Sequence, residues 1–168
     1  MKKLLLPVLL LLVMSCGCIS ENQTNETFIE KDVVYIIFSP TCPHCHSLID
    51  YVESKNTGLP IVKTTEGGKY VKFLESHGVK WDGGVPLLFV LLKNETLIAV
   101  NGYPAESQEK DGYFYGMDYE KSMCEKMNGE PFYENGEYKF CKLPNGMILG
   151  NKYSVDYVIE LCEKDLYS

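Results

Sequence analysis

Val33-Val34-Tyr35-Ile36-Ile37-Phe38-Ser39-Pro40-Thr41-Cys42-Pro43-His44-Cys45-His46 carries an apolar run straight into two closely spaced cysteines. The β-branched and aromatic residues 33–38 predict a short buried strand. Ser39-Pro40-Thr41 predicts a turn. Cys45, Leu48, Ile49 and Val52 then recur at i, i+3, i+4 and i+7, which is one face of a helix. Pro43 falls at the first helical position, where a missing N–H costs nothing. Cys42 is therefore expected at or just before the helix N-terminus. Unpaired N–H groups and the positive end of the helix dipole there favour thiolate over thiol. Cys42 reads as the nucleophile of a redox-active dithiol, and Cys45, on the core-facing stripe, as its shielded resolving partner.

The elements that follow set this dithiol in an α/β chain. The first helix is expected to end near Gly58, a suitable left-handed cap. Residues 59–63 predict a strand with Pro60 near its start. Residues 67–77 predict a helix with Tyr70, Val71 and Leu74 inward, capped by Gly78. Val85-Pro86 leads into a fully apolar strand over 87–92, and a turn at Asn94-Glu95 returns the chain as 96–100. Near the end, Ser154 is expected to cap a helix that lines Val155, Val158, Ile159, Cys162 and Leu166 on one face. Strand, helix, strand, helix, hairpin, helix implies a right-handed parallel crossover and one antiparallel pair.

This order, with the dithiol after the first strand, resembles the thioredoxin-like fold: a central mixed sheet flanked by helices, with an insertion before the last helix. The resemblance covers residues 32–103 and the final helix. It implies that Pro86 is a cis-proline facing the dithiol, and that the Val85 backbone pairs with a substrate strand. The Phe38-Ser39-Pro40-Thr41-Cys42 lead-in is similar to that of glutaredoxins. Pro43-His44 between the cysteines is the dipeptide of the periplasmic oxidant DsbA. Thioredoxins and DsbA carry a buried acid six residues before the first cysteine, where this chain has Ile36. The glycine pair with which glutaredoxins hold glutathione has Asn101-Gly102-Tyr103 in its place, so glutathione is not assigned as a substrate.

The insertion spans 104–153. Within it, 118–127 predicts a helix, and 137–142 and 147–149 predict strands around the turn Pro144-Asn145-Gly146. Nine of the twelve tyrosines lie after residue 102, either as packing that seats the insertion or as an aromatic substrate surface. Trp81 is expected either to flank the groove beside Pro86 or to cover the core. Cys124, Cys141 and Cys162 are structural disulfide candidates. Cys124–Cys141 is favoured because it closes the insertion's helix on its hairpin, Cys141–Cys162 competes, and Cys162 also reads as a small core residue.

The N-terminus carries export signals. Lys2 and Lys3 precede an apolar stretch over 4–14, too short to span a bilayer but suited to a signal peptide over 1–15. Val13-Met14-Ser15-Cys16-Gly17-Cys18 resembles a lipoprotein signal, with Cys16 the expected lipidation site and Cys18 the alternative. An ordinary cleaved signal and an uncleaved anchor are the other readings. Residues 16–31 then form an anchor cysteine and polar tether, and 32–168 the domain. The expected location is extracytoplasmic and membrane-anchored. Asn22, Asn25 and Asn94 each open an N-x-T glycosylation pattern. Loss of residues 1–15 removes Lys2 and Lys3 and moves the formal charge from −7 to −9; all 16 basic residues are lysine. A negative chain without arginine forks is a poor nucleic-acid binder, so no nucleic-acid partner is expected.

Thiol–disulfide exchange with protein disulfide or dithiol substrates is thus the leading expectation, with oxidase or isomerase direction favoured. His44, when protonated, would stabilise the Cys42 thiolate and make the disulfide more oxidising. A membrane-bound or small-thiol redox partner must recycle the dithiol. A membrane-anchored reductase is the main alternative. Cys42, His44, Cys45 and His46 are also soft ligands suited to a Cu or Zn metallochaperone, but no second ligand pair is evident, and neither metal nor cofactor is assigned. Cys42-Pro43-His44-Cys45-His46 also satisfies the c-type haem pattern, but strands bracket the motif where a cytochrome would be helical. A degenerate binding module is disfavoured by the intact dithiol.

Overall fold

The computed structural model describes residues 28–168. The expected signal peptide, Cys16, Cys18 and the patterns at Asn22 and Asn25 lie outside the described residues. No helix among the described residues is long and apolar enough to cross a membrane.

The chain is mixed α/β, with a mixed central sheet flanked by helices. Strand β1 (Val34–Ile37) leads to α1 (Pro43–Ser54) and then to β2 (Ile61–Thr64). A 3₁₀ turn over Gly67–Tyr70 precedes α2 (Val71–Ser76), and β3 (Leu87–Leu91) and β4 (Leu97–Asn101) form a hairpin. The insertion supplies β5 (Glu109–Lys110), β6 (Tyr113–Phe114), α3 (Met117–Lys126), β7 (Glu130–Glu134), β8 (Glu137–Lys142) and β9 (Ile148–Leu149), before α4 (Lys152–Leu166) closes the chain. Sheet order is β2-β1-β3-β4-β9-β8-β7, with β5-β6 a separate ribbon. β1 runs parallel to β2 and antiparallel to β3.

Alternation along the strands divides the core. Val34, Ile36, Leu88, Val90 and Val100 face Leu48 and Val52 of α1 and Val155, Val158, Ile159 and Cys162 of α4. Tyr35, Ile37, Leu87, Phe89 and Ala99 face Tyr70 and Leu74 on the other side. β1 and β3 are covered on both faces, which is why they read as unbroken apolar runs. Ile29 is buried against the second of these layers.

The structure departs from expectation in four places. α1 stops at Ser54 rather than near Gly58, because Asn56 already adopts a left-handed φ of 48°, which asparagine tolerates better than most residues. Residues 67–70 wind as a 3₁₀ turn rather than the start of an α-helix, in keeping with the poor helix propensity of two glycines. Gly67 also lies under Trp81: a Cβ there would meet the indole at 2.4 Å. α4 is capped by Asn151, not Ser154. The Asn151 side chain accepts from the Ser154 N–H while the Ser154 hydroxyl accepts from the Asn151 N–H, both at 2.9 Å, in a reciprocal capping box. Finally, β7 and the β5-β6 ribbon were not anticipated, although Asn135-Gly136 and Asp111-Gly112 turn them with positive φ at both residues, as two-residue hairpins require.

The insertion lengthens the central sheet by three strands and builds a small core from Tyr113, Cys124, Tyr138, Cys141 and Leu143. Cys124 and Cys141 form a disulfide between α3 and β8, with Cα atoms 5.7 Å apart. Cys162 is a free thiol in the main core. Glu120 is buried beside this small core, where its Oε1 accepts from Asn151 at 2.5 Å and from the Tyr138 hydroxyl at 3.3 Å.

Burial raises the Glu120 carboxyl from 4.5 to about 7, against the two hydrogen bonds that favour its ionised form. The native state therefore holds a proton that the unfolded chain has lost between those values. The associated stability is full below about pH 4.5 and is lost as pH rises through about 7. Glu120→Gln is expected to shrink the drop in unfolding free energy between pH 5 and pH 8 by on the order of 3 kcal/mol. Denaturant titrations at the two pH values check this, and parallel profiles for wild type and variant contradict it.

Candidate functional site

The Cys42 sulfur is the N-cap of α1. It accepts the backbone N–H of Cys45 at 3.2 Å, with Pro43 in the first turn as expected. A cap position ordinarily belongs to an oxygen from Ser, Thr, Asp or Asn. Here a sulfur takes the place of that oxygen at the positive end of the helix dipole. Cys42 is half-buried and Cys45 fully buried, and both are free thiols. Desolvation, followed by the hydrogen bond with Cys42, pushes the Cys45 thiol up to about 12. Ile36, six residues before Cys42, is buried hydrocarbon, so no carboxylate stands at that position to take a proton from Cys45.

Sheet register brings the second half of the site to the first. Ile37 pairs with Leu87 in antiparallel β1 and β3, so the loop leaving β1 lies beside the segment entering β3. The Cys42 sulfur is 4.0 Å from the Val85 carbonyl oxygen across 43 residues of sequence. The Val85–Pro86 bond is cis. Among the described residues, none accepts a hydrogen bond from the Val85 N–H. Gly84, just before it, is held through its carbonyl by Trp81 Nε1 at 2.7 Å and Asn101 Nδ2 at 2.9 Å. Trp81 packs on the second core layer and, with Phe38, Ser39, Thr65, Gly67 and Val85, lines an open cleft of about 480 Å³. Of the two roles expected of Trp81, packing over the core is the one seen, and the ring also reaches the cleft beside Val85.

The two histidines are engaged with backbone. His44 Nδ1 lies 2.8 Å from the Tyr103 carbonyl, to which it donates, and its ring stands 5.5 Å from that of Phe114. His46 Nε2 donates to the Pro40 carbonyl at 2.8 Å. His44 is therefore anchored on the insertion side of the dithiol rather than hydrogen-bonded to the Cys42 sulfur. Among the described residues, no three or more His, Cys, Asp or Glu side chains gather in a metal-holding arrangement.

Cys42, Pro43, His44, Cys45, Val85 and Pro86 converge, while Cys124, Cys141 and Cys162 lie away from them. Sequence reading missed Tyr103, Phe114 and Asn101, which fix His44 and the Val85 loop. The Asp111-Gly112 turn was the one local signal for the ribbon that carries Phe114. Comparison with known proteins gives no match to any protein family, curated protein or solved structure.

Of the three free thiols among the described residues, Cys162 is also buried and pushed up to about 12. Brief iodoacetamide treatment of the native reduced protein at pH 8 is expected to label Cys42 and spare Cys45 and Cys162. Peptide mapping by mass spectrometry reads this out. Equal labelling of Cys45 would contradict its shielded role.

Proposed function

We propose that this chain is an extracytoplasmic thiol–disulfide oxidoreductase of thioredoxin-like fold, exchanging disulfides with protein substrates through Cys42 and Cys45. The observation that carries the reading is the asymmetry of the pair. One sulfur is accessible and capped by an N–H, and the other is sealed behind it. The β2-β1-β3-β4 core, with α1 and α4 on one face and α2 on the other, supports the fold. So does a cis-proline segment opposite the dithiol. The Cys124–Cys141 disulfide supports an oxidising compartment. Export and anchoring through Cys16 belong to the same proposal and rest on the sequence of residues 1–18.

In the oxidase direction, a substrate thiolate attacks the Cys42 sulfur of the Cys42–Cys45 disulfide. Cys45 leaves as thiolate and takes up a proton. A second substrate thiolate attacks the substrate sulfur of the mixed disulfide, forming the substrate disulfide and releasing Cys42 as thiolate. The dithiol now holds two electrons, which an oxidised membrane or small-thiol partner removes. An isomerase cycle starts instead from the Cys42 thiolate and returns to it. Stabilisation of that thiolate by the helix cap favours the reduced enzyme, and so makes its disulfide oxidising.

When the Cys42 thiolate attacks a substrate disulfide, as in the isomerase cycle or the reverse of the oxidase cycle, Cys45→Ala leaves the resulting mixed disulfide without its resolving thiol. Expressed in an exporting host, that variant is expected to accumulate covalent adducts on non-reducing gels, released by reductant and absent from Cys42→Ser/Cys45→Ala. Failure to trap any adduct through Cys42 would overturn the enzyme reading.

A further inference from the structure

α3 buries one face and leaves an apolar stripe on another. Cys124 turns into the insertion's core together with Glu120. Tyr115, Tyr119, Met123 and Met127 repeat every fourth residue, from the turn before the helix to its end. Tyr115, Tyr119 and Met127 remain 59, 48 and 42% exposed. With Phe114, Leu149 and the buried Glu120, this stripe lines a pocket of about 190 Å³ whose exposed surface is mostly apolar. The rings of Phe114 and Tyr115 lie 6.3 Å apart, and those of Tyr115 and Tyr119 meet edge-on at 5.4 Å. Tyr115 adopts a φ of 55°, a left-handed conformation that is costly for a bulky residue and collects at ligand clamps. Exposed apolar concavities of this kind mark binding surfaces, and methionines let them adapt to varied partners.

The pocket shares two residues with the surroundings of the dithiol. Phe114, one of its walls, is the ring that meets His44. Asn101, at another wall, holds the Gly84 carbonyl just before Val85. A polypeptide lying on Cys42 and Val85 thus has the pocket within reach. Residues 106–127 carry Glu106, Glu109, Asp111, Asp118, Glu120 and Glu125 against Lys110, Lys121 and Lys126, in a chain of net charge −7. That charge suits an occupant with basic flanks.

We propose that this pocket takes an apolar side chain from an extended segment of the client polypeptide, flanked by basic residues, while the client cysteine reacts at Cys42. The inference rests on the function proposed above and adds to it a client contact on the insertion, apart from the dithiol.

Binding is read by fluorescence anisotropy of a labelled, cysteine-free peptide with a Leu-Phe centre and lysine flanks, titrated with the reduced full chain. Wild type is expected to bind saturably. Tyr119→Ser/Met127→Ser, which alters two exposed side chains, is expected to bind about tenfold more weakly, with its fold checked by circular dichroism. A peptide with Ser-Ser in place of Leu-Phe should lose the same affinity. Equal binding by wild type and the double variant overturns the proposal. So does self-association of wild type in sedimentation velocity that the double variant abolishes, which would make a second copy the occupant. Exchange of the wild-type dithiol with a small aromatic disulfide, followed separately, reports on Cys42 and Cys45 alone. Exchange without pocket-dependent binding overturns this proposal only. Pocket-dependent binding without exchange overturns the proposed function and leaves a peptide site.

Discussion

The hydrogen bond from the Cys45 N–H to the Cys42 sulfur ties the start of α1 to the outer cysteine of the pair. At α4 the equivalent position is filled by Asn151, whose side-chain oxygen closes a capping box with Ser154. α1 uses a thiol where an oxygen would hold the helix more firmly, and Pro43 helps compensate by pre-setting the first turn. The same bond fixes which cysteine is outermost. It leaves Cys42 at the mouth of the site beside Val85 and puts Cys45 on the core face of α1. Reversal of the two roles would require the helix to turn about its axis, and Leu48 and Val52, packed under the sheet, prevent that.

The insertion is part of the sheet that holds the dithiol. β9 pairs with β4, which pairs with β3, which leaves the Val85–Pro86 segment. The β5-β6 ribbon brings Phe114 against His44, and the Tyr103 carbonyl at the insertion's start orients the same ring. One histidine thus touches both the inserted ribbon and the chain just before the insertion. The Cys124–Cys141 disulfide holds α3 on β8, and Gly129 makes room for it, since a Cβ there would meet the Cys141 sulfur at 2.2 Å.

Local signals carried most of the site. A β-branched run, a proline at the first helical position and the C-x-x-C spacing were enough to put Cys42 at a helix cap and Cys45 inside. The apolar runs at β1 and β3 were legible because burial on both faces leaves no polar alternation. Val85 and Pro86 came from resemblance rather than from periodicity, since only the β1-β3 register brings them to the sulfur. Helix ends were harder. Ser154 and Asn151 are equally good caps by composition, and the choice depends on where Lys152 begins to wind. The cysteine pairing was a question of distance: Cys162 lies in the main core while Cys124 and Cys141 share the small one, and no spacing rule separates those cases. Tyr103 and Asn101 contribute a backbone carbonyl and a side-chain amide to contacts that exist only after the sheet forms.

Under the proposed reading, the helix-capped sulfur makes the reduced dithiol the favoured form, and so the disulfide oxidising. Equilibration of Cys42–Cys45 in redox buffers, with the two states separated by thiol trapping and mass, tests that claim most directly. The account predicts one two-electron transition between about −120 and about −180 mV, the span from a strong periplasmic oxidant to an isomerase. A midpoint near about −270 mV, where a reductase of this chemistry sits, would contradict the assigned direction. The absence of any reversible Cys42–Cys45 disulfide would contradict the account itself.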